Sequence, residues 1–177
     1  MLYPAKEWKM IAAESNYRQV VFVRFVLPLL CLIAVATIIG TWLVTPREVY
    51  SASYVAFKIA VLLSSLSAGL FFSAFVITEI MAQQTGSKDH HRAFALIAYA
   101  SGAAYLVIAV VEMFPFFSEL LVLAFYSCYL YWRGIPHLIR VDGQKQMIYG
   151  LLSFIIMALI YSLMFFLFEN IWKAILL

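Results

Sequence analysis

Charged residues are scarce in this chain of 177 residues, which has only 12 Lys and Arg, 9 Asp and Glu, and 3 His. Hydrophobic residues make up 66% of the sequence, and the mean hydropathy is +0.96. A soluble domain of this length cannot bury that much apolar surface in a single core. The scarcity of charge therefore excludes a soluble globular protein, and it indicates that lipid surrounds most of the chain.

Cysteines are few, and the familiar catalytic motifs are missing. Cys31 and Cys128 both lie in apolar stretches, so we expect two small packing residues and not a disulfide framework. The sequence contains no Gly-x-Ser-x-Gly, no glycine-rich phosphate loop and no His-Glu-x-x-His. No basic patch is interleaved with aromatic residues in the manner of nucleic-acid-binding proteins. We therefore predict no catalytic residues, no cofactor and no nucleic-acid partner.

Long apolar stretches dominate the sequence. A helix needs roughly 20 mostly apolar residues to cross a bilayer, and five stretches approach this length: 20–44, 51–82, 93–113, 117–132 and 147–171. No alternation of period two persists over successive segments, so a transmembrane barrel is not favoured. The sequence predicts an all-α polytopic membrane protein whose single domain, 20–177, has five transmembrane helices.

The first 19 residues have a different pattern. Leu2, Trp8 and Ile11 can share one face of a helix, while Lys6 and Lys9 lie elsewhere on it. This pattern predicts an amphipathic helix over 1–19 that lies on the membrane surface. A signal peptide is not favoured, because the apolar run that follows is too long and has no small-residue cleavage site.

Basic residues are unevenly distributed between the two predicted sides of the membrane. With the N-terminus in the cytoplasm, nine of the twelve basic residues lie on that side, and the positive-inside rule favours this orientation. The nine are Lys6, Lys9, Arg18, Arg24, Lys88, Arg92, Arg133, Arg140 and Lys145, and the other three are Arg47, Lys58 and Lys173. We expect a cytoplasmic N-terminus, an external C-terminus and anionic headgroups as partners on the cytoplasmic side.

Charged residues within or at the ends of spans are candidate sites, because charge is costly in hydrocarbon. They are Lys58, Glu79, Glu112 and Glu119. We predict that Lys58 pairs with Glu112 or Glu119. For Glu79 two interpretations stay open, namely a salt bridge to one of Arg24, Arg92 and Arg133, or extension of the side chain into the headgroup layer.

Two groups of polar residues on the predicted cytoplasmic side are weaker candidates. Glu79, His90 and His91 could bind a metal ion, although adjacent histidines on a loop form a poor ligand cage. Contacts to lipid headgroups or to a partner are expected from Arg133, His137, Arg140 and Lys145.

Small residues and tyrosines within the spans indicate a packed bundle. Ser65, Gly69 and Ser73 recur every four residues, which lets helix backbones approach closely in a membrane. Three tyrosines lie deep enough for their hydroxyl groups to need partners inside the bundle. These are Tyr99, Tyr105 and Tyr161.

A tight turn is expected where the fourth predicted span ends. Gly134 can adopt the positive φ that closes a helix, and Pro136 prevents the helix from resuming. We therefore predict that Gly134-Ile135-Pro136 forms a fixed turn at the inner boundary of the membrane.

Three short stretches resemble the Yip-domain family, whose eukaryotic members are Ypt/Rab-interacting membrane proteins. They are Pro4-x-x-x-Trp8-x-x-Ile11-Ala12-x-Glu14, then Ala98-Tyr99-Ala100-Ser101, and finally YSCYLYWRGIPHL over residues 126–138. The resemblance implies five spans and a cytoplasmic N-terminus. The chain lacks the long N-terminal region and the Asp-Leu-Tyr-Gly-Pro motif of eukaryotic members, so it is similar to the minimal prokaryotic branch, in the cytoplasmic (inner) membrane.

Three functions from different classes follow as hypotheses. The first is a non-enzymatic scaffold or organiser of the membrane that binds lipids or a protein partner, with a homo-oligomer as one form. The alternative is a small oligomeric transporter or channel, suggested by the charges and tyrosines in the spans. A third is a lipid-modifying enzyme in which His137 acts as acid or base beside Arg133 and Arg140.

Overall fold

The computed structural model describes Trp8, Ile11 and residues 18–44, 51–85, 89–138 and 143–176, and these residues are almost entirely helical, with no strand among them. Helix α1 is Arg18–Val44 and includes a π-helical turn, Phe22–Val26. It is followed by α2 (Ala52–Thr85), α3 (His90–Met113), a 3-10 segment (Pro115–Phe125), α4 (Tyr126–Leu138) and α5 (Gly143–Leu176).

The chain passes along the bundle five times in alternating directions. Helix α2 runs antiparallel to α3, as the contacts of Phe71 with Phe94 and of Lys58 with Glu112 show. The 3-10 segment and α4 together return along α3, because Ser127 bonds to the middle of α3 and Gly134 packs near its start.

Four of these passes, not five, are single helices long and apolar enough to cross a membrane. They are Arg18–Val44, Ala52–Ile80, His90–Met113 and Gly150–Ile175. The predicted span 117–132 is therefore wrong as a continuous transmembrane helix, because the chain restarts at Pro115 in 3-10 geometry and Phe117 has non-helical φ and ψ of −101° and 33°. Helix α4 has 13 residues and is only about 20 Å long, against a hydrocarbon core of about 30 Å.

Helix α3 is the centre of the bundle, and α5 lies at its edge. In the apolar windows of these helices, 56% of the α3 residues are buried but only 11% of the α5 residues. Large apolar side chains are exposed on α5, among them Leu151, Leu159 and Phe166. Lipid chains are as apolar as these side chains, so the exposure carries no hydrophobic penalty in a bilayer.

Small residues bring the helices into close contact, as predicted. Ser65, Gly69 and Ser73 are all buried on α2. The tightest approach is between α1 and α3, where a Cβ atom placed on Gly40 would overlap the backbone carbonyl oxygen of Glu112. Only glycine allows these two backbones to approach so closely.

The predicted turn at Gly134-Ile135-Pro136 is not observed. Helix α4 continues through Pro136 to Leu138, and Gly134 is a buried position inside it. A Cβ atom on Gly134 would overlap Leu96 and lie 2.9 Å from Cζ2 of Trp8. The glycine therefore serves close packing and not helix termination.

Trp8 lies inside the bundle and not at its surface. Its side chain is fully buried, and its ring makes an edge contact with Tyr99 at 6.4 Å between centroids. The space left by Gly134 accepts the indole ring, so the apolar side of this stretch contacts the bundle at Trp8, and the surface-lying helix over 1–19 stays a prediction. Within 1–19 the structure also describes Ile11, which is half-buried, and the first residues of α1. The other residues of this predicted helix lie outside the described residues.

Candidate functional site

A cavity of about 460 Å³ lies between α2, α3, α5 and the returning 3-10 segment with the start of α4. Most of its lining is apolar, with polar groups in two places along its length. The apolar side chains that define its walls are Leu62, Ile108, Leu121, Phe154, Met157 and Phe165. Its size is within the range of small-molecule sites, which is about 300–1,000 Å³.

A chain of hydroxyl groups lies at one end of this cavity. Tyr105 donates a hydrogen bond to the backbone oxygen of Leu66 at 3.1 Å, which uses its only proton. Tyr161 must therefore be the donor in the 3.1 Å bond to Tyr105, and Ser101 the donor in the 3.5 Å contact with Tyr161. The predicted need of Tyr105 and Tyr161 for buried partners is confirmed. Each hydroxyl proton of the cluster is donated to another member of the cluster or to the Leu66 backbone oxygen.

An ion pair lies at the other end of the cavity. Nζ of Lys58 is 2.7 Å from a carboxylate oxygen of Glu112, whose side chain is only 16% exposed. This confirms the pairing predicted for Lys58 and chooses Glu112 over Glu119, which is exposed on the 3-10 segment. A second pair, Lys173 with Glu169 at 2.7 Å, lies toward the same end of the bundle. We call this the ion-pair end.

The opposite end of the bundle is rich in arginine, and we call it the basic end. The arginines of the described ranges, Arg18, Arg24, Arg92 and Arg133, are all exposed there. The guanidinium of Arg18 lies over the ring of Phe71, 4.5 Å from its centroid, and such contacts stabilise a cation near the membrane boundary.

Asp89 and the two histidines beside it define the start of α3. The Asp89 side chain caps the helix by accepting from the Arg92 backbone N–H at 3.1 Å, and it pairs with the Arg92 side chain at 3.0 Å. His90 is exposed, and Nδ1 of His91 accepts from the backbone N–H of Arg18 at 3.3 Å. Within the described residues, no three His, Cys, Asp or Glu side chains come together as metal ligands would.

Glu79 lies toward the C-terminal end of α2, half-buried and next to the buried Ile77 and Thr78. It has an interaction partner, so it is not an isolated charge. An arginine as that partner stays a prediction.

The residues predicted to contact headgroups or a partner are only partly brought together. Arg133 is exposed at the end of α4, and the His137 ring lies 3.1 Å from the Arg133 carbonyl oxygen, within its own helix. Arg140 lies outside the described residues, and Lys145 is in the first turns of α5. This bond occupies one of the two ring nitrogens of His137, so a role as acid or base stays a hypothesis.

The sequence does not predict the contact of Trp8 with Gly134, although both residues belong to stretches that resemble the Yip-domain family. Trp8 lies against Gly134 and Tyr99, so all three stretches meet at one place in the bundle. The sequence pattern of the Yip1 domain matches residues 1–166.

The chain belongs to the Yip1-domain family.

The matched residues cover all the passes except the last turns of α5. No curated protein and no solved structure matches the chain. Membership of the Yip1-domain family agrees with the apolar helices, and together they show an integral membrane protein. The Yip1 domain is a non-catalytic membrane domain, which agrees with the lack of catalytic motifs in this chain.

Proposed function

We propose that this Yip1-domain protein is a non-enzymatic organiser of the membrane that binds anionic lipid headgroups through its basic end. The observation that carries the proposal is the difference in charge between the two ends of the bundle. At the basic end, four arginines are exposed, and one of them, Arg92, pairs with Asp89. At the ion-pair end, the described cations are Lys58 and Lys173, and each is paired with a carboxylate.

This difference supports an orientation as well as a ligand. Exposed basic residues are favoured on the cytoplasmic side and attract anionic lipids there. The five alternating passes would then place the C-terminus outside, with the 3-10 segment and α4 completing the fourth crossing. The membrane we propose is the cytoplasmic (inner) membrane of a prokaryote, and a protein partner or a second copy of the chain would bind beside the headgroups.

Transport is less well supported by the interior of the bundle. Leu70, Ile77 and Ile97 are fully buried at its centre. Two buried hydroxyl groups on the inner faces bond to their own helix backbone, Thr37 to Ile33 at 2.8 Å and Thr78 to Ala74 at 2.7 Å. An aqueous pathway needs polar groups that are available to a solute, and these inner hydroxyls are not.

Native mass spectrometry with mixed lipids tests the proposal. The purified protein is given equal amounts of phosphatidylglycerol and phosphatidylcholine with identical chains, and the bound lipids are counted. We expect phosphatidylglycerol to be preferred, and the double variant Arg24→Gln with Arg133→Gln to lower this preference by up to roughly 30-fold, at about 1 kcal/mol for each arginine.

Lys173→Gln is the matched control, because it removes a cation from the ion-pair end. It should leave the preference for phosphatidylglycerol unchanged. Equal binding of both lipids by the unmodified protein, or an equal loss in the control, would refute headgroup recognition at the basic end.

A further inference from the structure

The cavity has the length of one membrane leaflet. Its lining extends along α3 from Ser101 to Glu112 and along α5 from Phe154 to Phe165. Eleven steps of 1.5 Å along either helix give a length of about 16 Å. The hydrocarbon core of a bilayer is about 30 Å thick, so the cavity reaches from its boundary at the Lys58–Glu112 pair to about the midplane.

The chemistry of the lining suits an apolar occupant. The hydroxyl groups of Ser101, Tyr161 and Tyr105 are engaged with one another and with the backbone. The charges of Lys58 and Glu112 are paired, and they lie only at the end near the membrane boundary. The other two hydroxyl groups of the lining are also bonded to backbone, since Ser65 donates to Val61 at 2.6 Å and Ser127 accepts from Ala104 at 2.9 Å. The remaining walls are aliphatic or aromatic, so a polar solute would lose its hydration with few new partners.

The side of the cavity opens toward lipid. Leu121 on the 3-10 segment and Phe165 on α5 both line it and are 46% and 45% exposed. Ala158, which also lines the cavity on the α5 wall, is an exposed small residue. A chain from the surrounding bilayer can therefore enter sideways.

We propose that the cavity binds one acyl chain of a membrane lipid from the leaflet at the ion-pair end. A transmembrane helix of another protein does not match the cavity, because it extends over the whole hydrocarbon core of about 30 Å and the apolar walls extend over only about 16 Å. The inference rests on the proposed lipid-binding role, but it concerns the hydrocarbon chain and the opposite end of the bundle.

Photolabelling with a neutral lipid tests the inference separately from headgroup recognition. The protein is reconstituted in phosphatidylcholine vesicles that contain a phosphatidylcholine with a diazirine at the end of one acyl chain. Labelled residues are then mapped by mass spectrometry. We expect labelling at Met157, which is only 6% exposed and lines the cavity near the midplane. The exposed Leu152 on the same helix reports labelling from the bulk bilayer.

Filling the cavity should remove the labelling at Met157 alone. Ala158→Phe places a ring in the opening and is expected to lower labelling at Met157 at least fivefold, with labelling at Leu152 unchanged. Leu159→Phe, at the neighbouring lipid-facing residue, is the control and should change neither. If Ala158→Phe does not fold, Ala124→Phe fills the cavity from the opposite wall.

Labelling confined to Leu152 and other lipid-facing residues would overturn the inference, as would labelling at Met157 that persists in the filled variant. Equal binding of phosphatidylglycerol and phosphatidylcholine by the unmodified protein, with labelling at Met157 retained, would refute the proposed headgroup recognition and leave the acyl-chain site standing.

Discussion

Gly40→Ala tests whether the close approach of α1 and α3 holds the bundle together. The new Cβ atom would overlap the backbone carbonyl oxygen of Glu112 and lie 2.8 Å from its carbonyl carbon. A backbone group cannot rotate away as a side chain can, so the two helices must separate. Overpacking of this kind costs about 1–3 kcal/mol, while alanine regains about 1 kcal/mol over glycine in a helix.

The net expectation for Gly40→Ala is a destabilisation of up to about 2 kcal/mol. For a chain of 150–250 residues, each 1 kcal/mol lowers Tm by about 2–4 °C, so the variant should melt up to about 8 °C lower in detergent. Separation of the helices would also move Glu112 away from Lys58 and add to this loss.

Gly150→Ala is the control for helix propensity. Its Cβ atom would lie 3.2 Å from Ile135 and 3.3 Å from Trp132, both side chains that can shift. Its Tm should stay the same or rise. If Gly40→Ala melts at the same temperature as Gly150→Ala, or above it, the two backbones are not as close as the structure places them.

Two further substitutions test the ion pair and the buried indole, each by thermal melting in detergent. Lys58→Met should destabilise the protein by about 1–3 kcal/mol, because it leaves a largely buried carboxylate at Glu112 without its cation. The double variant Lys58→Met with Glu112→Gln should recover part of this lost stability, and no recovery would argue against the ion pair. Trp8→Ala should cost about 3–5 kcal/mol, since a fully buried aromatic side chain is lost. The control Trp42→Ala removes a side chain that is 68% exposed and should change Tm little, and equal shifts in the two variants would show that Trp8 is not in the core.

The long apolar stretches determine the class of this protein, because a bilayer requires the backbone hydrogen bonds to be satisfied within each helix. The inward face of α2 also follows from the sequence, since Ser65, Gly69 and Ser73 repeat at helical spacing. The partner of Lys58 could be narrowed to two carboxylates, as a charge at that depth needs a counterion.

Tertiary contacts decided what local patterns could not. Gly134 and Pro136 have the composition of a turn, but packing against Leu96 and Trp8 keeps this segment helical. Trp8 lies in a stretch with the pattern of an interfacial helix. Its burial follows only from the tertiary structure, in which Gly134 of α4 leaves space for the indole ring. The cavity has no signature in the sequence at all, because its walls come from elements far apart in the chain. Its volume is the space that these elements leave unfilled when they pack, and that space depends on the packing of the whole bundle.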